Sequence, residues 1–174
     1  MESTQKGSGS IQLLWVYIIS QFKTPCGHVS FWFYFVFAII VLGGLGIWVE
    51  LLKALPKSAI TDGLVTSIYT YFPAVAAAAA FQIDLDQGKK NYVRSFALAS
   101  LFIIFIPAIF QATGLIANRC LSLIIGTAFT LAALALWWVA NGKNLSLHDD
   151  FDPIDSLGAD PGSAASGGTS SIKV

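Results

Sequence analysis

Four long apolar runs separated by short polar stretches dominate the chain. Val29 to Val49, Gly63 to Ile83, Ser95 to Ala117 and Cys120 to Ala140 contain no Asp, Glu, Lys, Arg or His. Each reaches the roughly 20 residues with which a helix spans a hydrocarbon core of about 30 Å. In lipid a backbone must pair its own amides and carbonyls, so runs of this kind form helices. The pattern predicts an all-α integral membrane protein, with a four-transmembrane-helix bundle occupying residues 29–145.

Outside the bundle the pattern changes twice. Residues 1–28 form an amino-terminal segment in which the apolar stretch Ile11 to Ile19 follows Lys6. No small-residue cleavage pattern follows it, so it is expected to be retained rather than removed as an export signal. It is too short to cross, and Trp15 and Tyr17 suit the headgroup level, so a short interfacial helix is expected over residues 11–22. A segment packed under the bundle is the alternative. From Ser146 to Val174 an acidic block with Asp149, Asp150, Asp152, Asp155 and Asp160 gives way to a Gly/Ser/Ala tract. That composition predicts a disordered tail.

The ends of the spans are marked by amphipathic aromatic rings, which prefer the interface. Trp32 and Tyr34 stand at the entry of the first span, Trp48 at its exit, Tyr92 before the third, and Trp137 with Trp138 at the end of the fourth. Between spans three and four only Asn118 and Arg119 remain, which predicts a tight helical hairpin.

Composition bounds the function. Hydrophobic residues make up 55% of the 174 positions and charged residues 11%, whereas soluble domains are about a quarter charged. The spans take up about half the chain, leaving too little for a separate soluble catalytic domain. Net charge is zero and the basic residues are scattered, so nucleic acid is not expected as a partner. An even number of crossings puts both termini on one side, together with Lys6, Lys23, Lys89, Lys90, Arg94, Lys143 and Lys173, against Lys53, Lys57 and Arg119 on the other. The excess predicts cytoplasmic amino and carboxy termini.

Between helices in lipid, small residues and side-chain hydrogen bonds replace the hydrophobic effect as the means of association. The second span carries Ala74 and Ala76 to Ala80, the first Gly43, Gly44 and Gly46, and the fourth Gly126, Ala128, Ala132 and Ala133, all surfaces for close approach. The second span also bears a polar stripe, Asp62, Thr66, Tyr69, Thr70 and Pro73, at helical spacing. On the third, Ser100, Pro107, Gln111 and Gly114 share a face. Buried polar groups need partners, so the two faces are expected to meet, and Asp62, Thr66, Tyr69, Thr70 and Gln111 form a candidate intramembrane polar site. Its plain reading is interhelical bonding; its functional reading is a ligand or permeation path opened by kinks at Pro73 and Pro107. Thr61 and Asp62 also suit the start of a helix, where free amides and the dipole favour oxygen and negative charge.

Chemistry is sparse. Cys26 and Cys120 lack metal-site or redox spacing, and Cys26 with His28 supplies too few ligands for a metal. Asp84 and Asp86 lack the other ligands of a calcium loop. No nucleophile and base pair, phosphate loop or cofactor fingerprint appears, so neither enzymatic activity nor a cofactor is expected. In the tail, Phe151, Ile154 and Leu157 recur at a spacing of three among Asp149, Asp150 and Asp152, a candidate docking segment for a cytoplasmic protein. The chain therefore reads as a non-enzymatic anchor, scaffold or sensor subunit that forms homo-oligomers in the lipid bilayer. The alternative is a small channel or transporter subunit with a path between spans two and three or along an oligomer axis. Size, four crossings and inward tails are similar to the membrane subunit of the bacterial Kiwa antiphage defence system and to four-span MARVEL-type proteins. This likeness is one of layout and rests on no shared motif, so it carries over no site or activity and only prompts a test of a sensor role.

Overall fold

A computed structural model describes residues 9–57, 60–86 and 89–149. The regular elements among those residues are all helical, with no strand: α1 (Ser10–Lys23), α2 (Val29–Phe33), α3 (Leu45–Ala54), α4 (Asp62–Leu85), α5 (Asn91–Ala112) and α6 (Arg119–Asn141). Three of them, α4, α5 and α6, are each long and apolar enough to cross a membrane unaided.

The run expected as the first crossing is assembled differently, and its Val29–Leu42 part counts as a fourth candidate span only as one bent pair with Ile11–Gly27. The run expected to be one helix from Val29 to Val49 starts as α2 and widens at Tyr34–Leu42 into a π-helical stretch, in which Gly43 donates its amide to the Ala38 carbonyl five residues back, at 3.0 Å. It breaks at Gly43 and Gly44, then resumes as α3 as far as Ala54. Breaking a helix inside lipid frees carbonyls that water cannot reach. Tyr71 Oη donates to the Ile39 carbonyl at 2.8 Å, and Trp48 Nε1 adds a bond at 3.0 Å to the Ile40 carbonyl, which also accepts from the Gly44 amide at 3.2 Å. Phe31 packs on Trp137 and Trp138 at the end of α6, and Glu50 lies against Gly63 at the start of α4. Since α4 starts at that second level and reaches α6's end through Gln82, residues 29–54 traverse the bundle antiparallel to α4.

Ahead of this crossing, α1 and the 3-10 turn Thr24–Gly27 that continues it stand at 100° to Val29–Leu42, the bend falling at His28. A helix nearly perpendicular to its neighbour suits the surface position expected for residues 11–22. It also packs under the bundle: Phe22 stacks on Trp138 at 6.1 Å, and the Gln21 carbonyl lies where any Cβ on Gly142 would stand. Of the two expectations for this segment, packing against the bundle is the one these contacts bear out.

At the core, α4 packs on α3, α5 and above all α6. Ala76, Ala79 and Ala80 are fully buried there, whereas Ala74 and Ala78 face outward. The third span sits one turn earlier than expected. It ends at Ala112 rather than Ala117 because Gly114 takes φ +75°, and Leu115 then donates its amide to the Phe110 carbonyl at 3.0 Å. That is the left-handed closing turn for which glycine is suited. Gly114 accordingly lies beyond the helix instead of on its face, and the hairpin is longer than Asn118 and Arg119 alone. Asn118 caps α6, its Oδ1 accepting from the amides of Cys120 and Leu121 at 2.9 and 3.1 Å, and Arg119 is α6's first residue.

Candidate functional site

Polar groups inside the bundle concentrate at two levels. At the first, three helices meet: Tyr69 Oη of α4 donates to the Ser122 carbonyl of α6 at 3.1 Å, and Ser122 Oγ donates to Gln111 Oε1 of α5 at 2.8 Å. Ser122 is 1% exposed. Gly126, one turn further along α6, makes room for this meeting, because a Cβ there would stand 2.7 Å from Ile68 Cγ2 and 2.9 Å from Tyr69 Cε2.

The stripe anticipated on α4 is thereby divided. Tyr69 and Pro73 turn inward; Thr66 and Thr70 face outward, where Thr70 Oγ1 donates to the Thr66 carbonyl at 2.8 Å. A stripe about a quarter of a turn wide straddles the edge between the packed and open faces. Asp62 is also outward. Thr61 Oγ1 provides the helix cap by accepting from the Leu64 amide at 3.1 Å, and Asp62 instead holds Arg119 in a two-pronged ion pair, Nε to Oδ1 at 2.8 Å and Nη2 to Oδ2 at 2.9 Å. Of the five residues, the structure brings Tyr69 and Gln111 together through Ser122, and sets Asp62, Thr66 and Thr70 apart. On α5, Pro107 lies on the buried face, with Ser100 and Gln111 half-buried along it.

At the second level Gln82 of α4 and Asn141 of α6 exchange amide bonds, Gln82 Nε2 to Asn141 Oδ1 at 2.8 Å and Asn141 Nδ2 to Gln82 Oε1 at 2.9 Å. Asn141 is 3% exposed and donates also to the Trp137 carbonyl at 3.0 Å. The exposed Gln82 thus satisfies the buried Asn141 amide, which is costly to leave unpaired. Asn141→Leu is expected to lower stability by about 1 kcal/mol, and Gln82→Leu with Asn141→Leu by less than the sum of the single changes. Unfolding in mixed SDS micelles checks both; additive losses would mean that the pair does not act as a unit.

Three concavities accompany these levels. One of about 200 Å³ sits at the break in the first crossing, among Gly44, Trp48, Ile68, Tyr71, Thr127 and Thr130. The mid-depth space therefore opens between the first crossing, α4 and α6, rather than between spans two and three. An apolar groove of about 400 Å³ runs between α1, α5 and α6, past Trp15, Phe96, Ile103 and Phe129. A cleft of about 820 Å³ lies beside the ends of α4 and α6, bordered by Gln82, Asp86, Lys89, Lys143 and Asn144. Lys89 turns inward, 3.6 Å from Asp86 Oδ2 and 5.4 Å above the Tyr17 ring.

The tail begins inside the fold. Leu145–Leu147 forms a 3-10 turn, and Asp149 returns to the start of α2, where its carboxylate accepts from the amides of Val29 and Ser30 at 2.7 and 2.9 Å. Donors of Ser30, first its side chain and then its amide, followed by the Val29 amide, hold the Asp149 carboxyl below the ordinary carboxylate range. Asp149, anticipated as a docking residue, is thus engaged within the chain. Asp150, Phe151, Asp152, Ile154 and Leu157 lie outside the described residues.

Sequence reasoning missed Ser122, Asn141, Tyr71 and the pairing of His28 with His148. For Ser122 a signal existed, since it lies one turn from Gly126 on the same face of α6. No family model, curated protein or solved structure matches the chain, and the resemblance to four-span proteins stays one of layout.

Proposed function

We propose that this multi-pass protein is a non-enzymatic anchor, scaffold or sensor subunit, which forms homo-oligomers and conveys the state of the bilayer to a cytoplasmic protein partner. The observation that carries this reading is the construction of the first crossing. It is broken by Gly43 and Gly44, and α1 adjoins it through a 100° bend. A helix along the surface responds to headgroup spacing and tension. Through the short turn Thr24–Gly27, displacement of α1 moves the neighbouring half of the crossing about the glycine pair. Polar groups within the bundle, Tyr69 with Ser122 and Gln111 and Gln82 with Asn141, bond to one another and so serve cohesion. Thr66, Thr70, Ala74 and Ala78 give α4 an outward face of modest relief, suited to a second copy. The excess of Lys and Arg on the terminal side supports cytoplasmic termini.

Recovery of the protein from its native membrane, as the full chain and as a chain ending at Asp149, tests the reading. The full chain is expected to bring down a specific cytoplasmic protein and the shortened one to lose it, while both insert equally and run as the same oligomer. A monomer that recovers nothing, or a protein that carries ions across liposomes, would overturn it.

A further inference from the structure

The two histidines of the chain meet although they lie near opposite ends of the sequence. His28 directly precedes α2, His148 directly follows the turn Leu145–Leu147, and their rings stack with centroids 4.0 Å apart and planes within 2° of parallel. Both are half-buried. Beside them Asp149 covers the first amides of α2, and its own amide donates to His28 Nδ1 at 3.4 Å. His148 Nε2 donates to the Gly142 carbonyl at 3.2 Å. These partners assign the protons. A carbonyl only accepts, so His148 carries hydrogen on Nε2; His28 accepts at Nδ1, so its ring is neutral in this arrangement.

We propose that His28, His148 and Asp149 form a proton-operated latch, which fastens the start of the carboxy-terminal tail to the start of the first crossing and releases it when both imidazoles are charged. Two charged imidazoles stacked at 4.0 Å repel each other. A proton on His28 Nδ1 also removes the acceptor of the Asp149 amide. Imidazole is the side chain whose charge changes between about pH 5 and 8.

The clasp titrates elsewhere. With the Asp149 carboxyl held below its ordinary range, its capping bonds are complete above that range and lost only as pH falls beneath it. A charged His28 also favours that carboxylate, so release comes from repulsion between the two rings and loss of the Nδ1 acceptor, not from the clasp. On the segments that carry and flank the pair, the other titratable groups are Lys23 and Cys26, the latter donating its thiol to the Phe22 carbonyl at 3.2 Å, and Lys143. The latch goes beyond the anchoring role and does not depend on a partner.

Nitroxide labels on Cys26 and on Asp150→Cys, with Cys120→Ser, report the closed state as spin–spin broadening in the full chain reconstituted in lipid vesicles. The broadening is expected to fall about twofold or more, reversibly, between about pH 7.5 and about pH 5. His148→Phe keeps a stacking ring that takes no proton, and is expected to stay broadened at the acid end. Asp149→Asn is expected to show weakened broadening already at the neutral end. A parent spectrum that does not change across the range overturns the latch, and so does a His148→Phe chain that follows the parent.

Discussion

Replacing Gly126 by leucine is expected to destabilise the bundle by about 3 kcal/mol or more, at the upper end of the cost of overpacking. Even the first added carbon would stand 2.7 Å from Ile68 Cγ2 and 2.9 Å from Tyr69 Cε2. Neither neighbour yields easily. Ile68 is β-branched and 6% exposed, and Tyr69 is 8% exposed with its ring set against Phe72 at 5.3 Å. The interface concerned, α4 on α6, is the most extensive among the described residues, and lipid supplies no hydrophobic drive to restore it once the backbones part. Separation at Gly126 also draws Ser122 from the Tyr69 hydroxyl, so the three-helix junction with Gln111 loosens along with the packing. Unfolding of the purified protein in mixed SDS micelles gives the cost. Adding Ile68→Ala to Gly126→Leu is expected to recover part of the loss, since it clears one of the two obstructions. A Gly126→Leu chain as stable as the parent would show that the helices do not approach as described.

The crossings were readable in the sequence because lipid leaves a backbone little choice: α4 and α6 fall within two residues of the apolar runs at Gly63 to Ile83 and Cys120 to Ala140. Where glycine interrupts such a run the same argument weakens. Hydropathy cannot tell that Gly43 and Gly44 break the first crossing while Gly126 merely lets a neighbour in, since that depends on whether side chains such as Tyr71 and Trp48 stand ready to bond the carbonyls beside the break. Gly114 was misplaced for a related reason: its position lay in phase with Ser100, Pro107 and Gln111, and its φ of +75° leaves no trace in periodicity.

The polar site was legible to a similar degree. Helical spacing singled out Tyr69 and Gln111, and the structure joins them. Spacing alone could not choose which edge of the stripe turns inward, and that choice rests on Gly126, which fixes the face of α4 that α6 covers. The contacts between the chain's two ends were invisible, because His28 and His148 belong to segments with no period to link them. Asp149 looked like an exposed docking residue for the same reason; its partners, the amides of Val29 and Ser30, are backbone groups that no residue type announces.

Phe31→Ala is expected to cost about 3 kcal/mol, the lower end of what a buried phenylalanine loses when truncated in a water-soluble core. The lower end applies because lipid tails are as apolar as the ring, so the loss is of packing more than of transfer from water. Phe31 is fully buried, with ring centroids 4.9 Å from Trp138, 5.8 Å from Trp137 and 6.5 Å from Phe35. It is the point at which the start of the first crossing is pinned to the end of α6, one turn from the bend that leads to α1. A cavity there is bounded by two indoles and cannot close without shifting α2. Phe33→Ala provides the comparison: Phe33 is 62% exposed and stacks on Phe37 of its own run, so its removal is expected to cost less than about 1 kcal/mol. Unfolding in mixed SDS micelles measures both, and indole fluorescence follows Trp137 and Trp138, which Phe31→Ala should perturb and Phe33→Ala leave nearly unchanged. Equal losses from the two substitutions would mean that the ring cluster does not hold the first crossing, and the coupling of α1 to the glycine break would lose its fixed point.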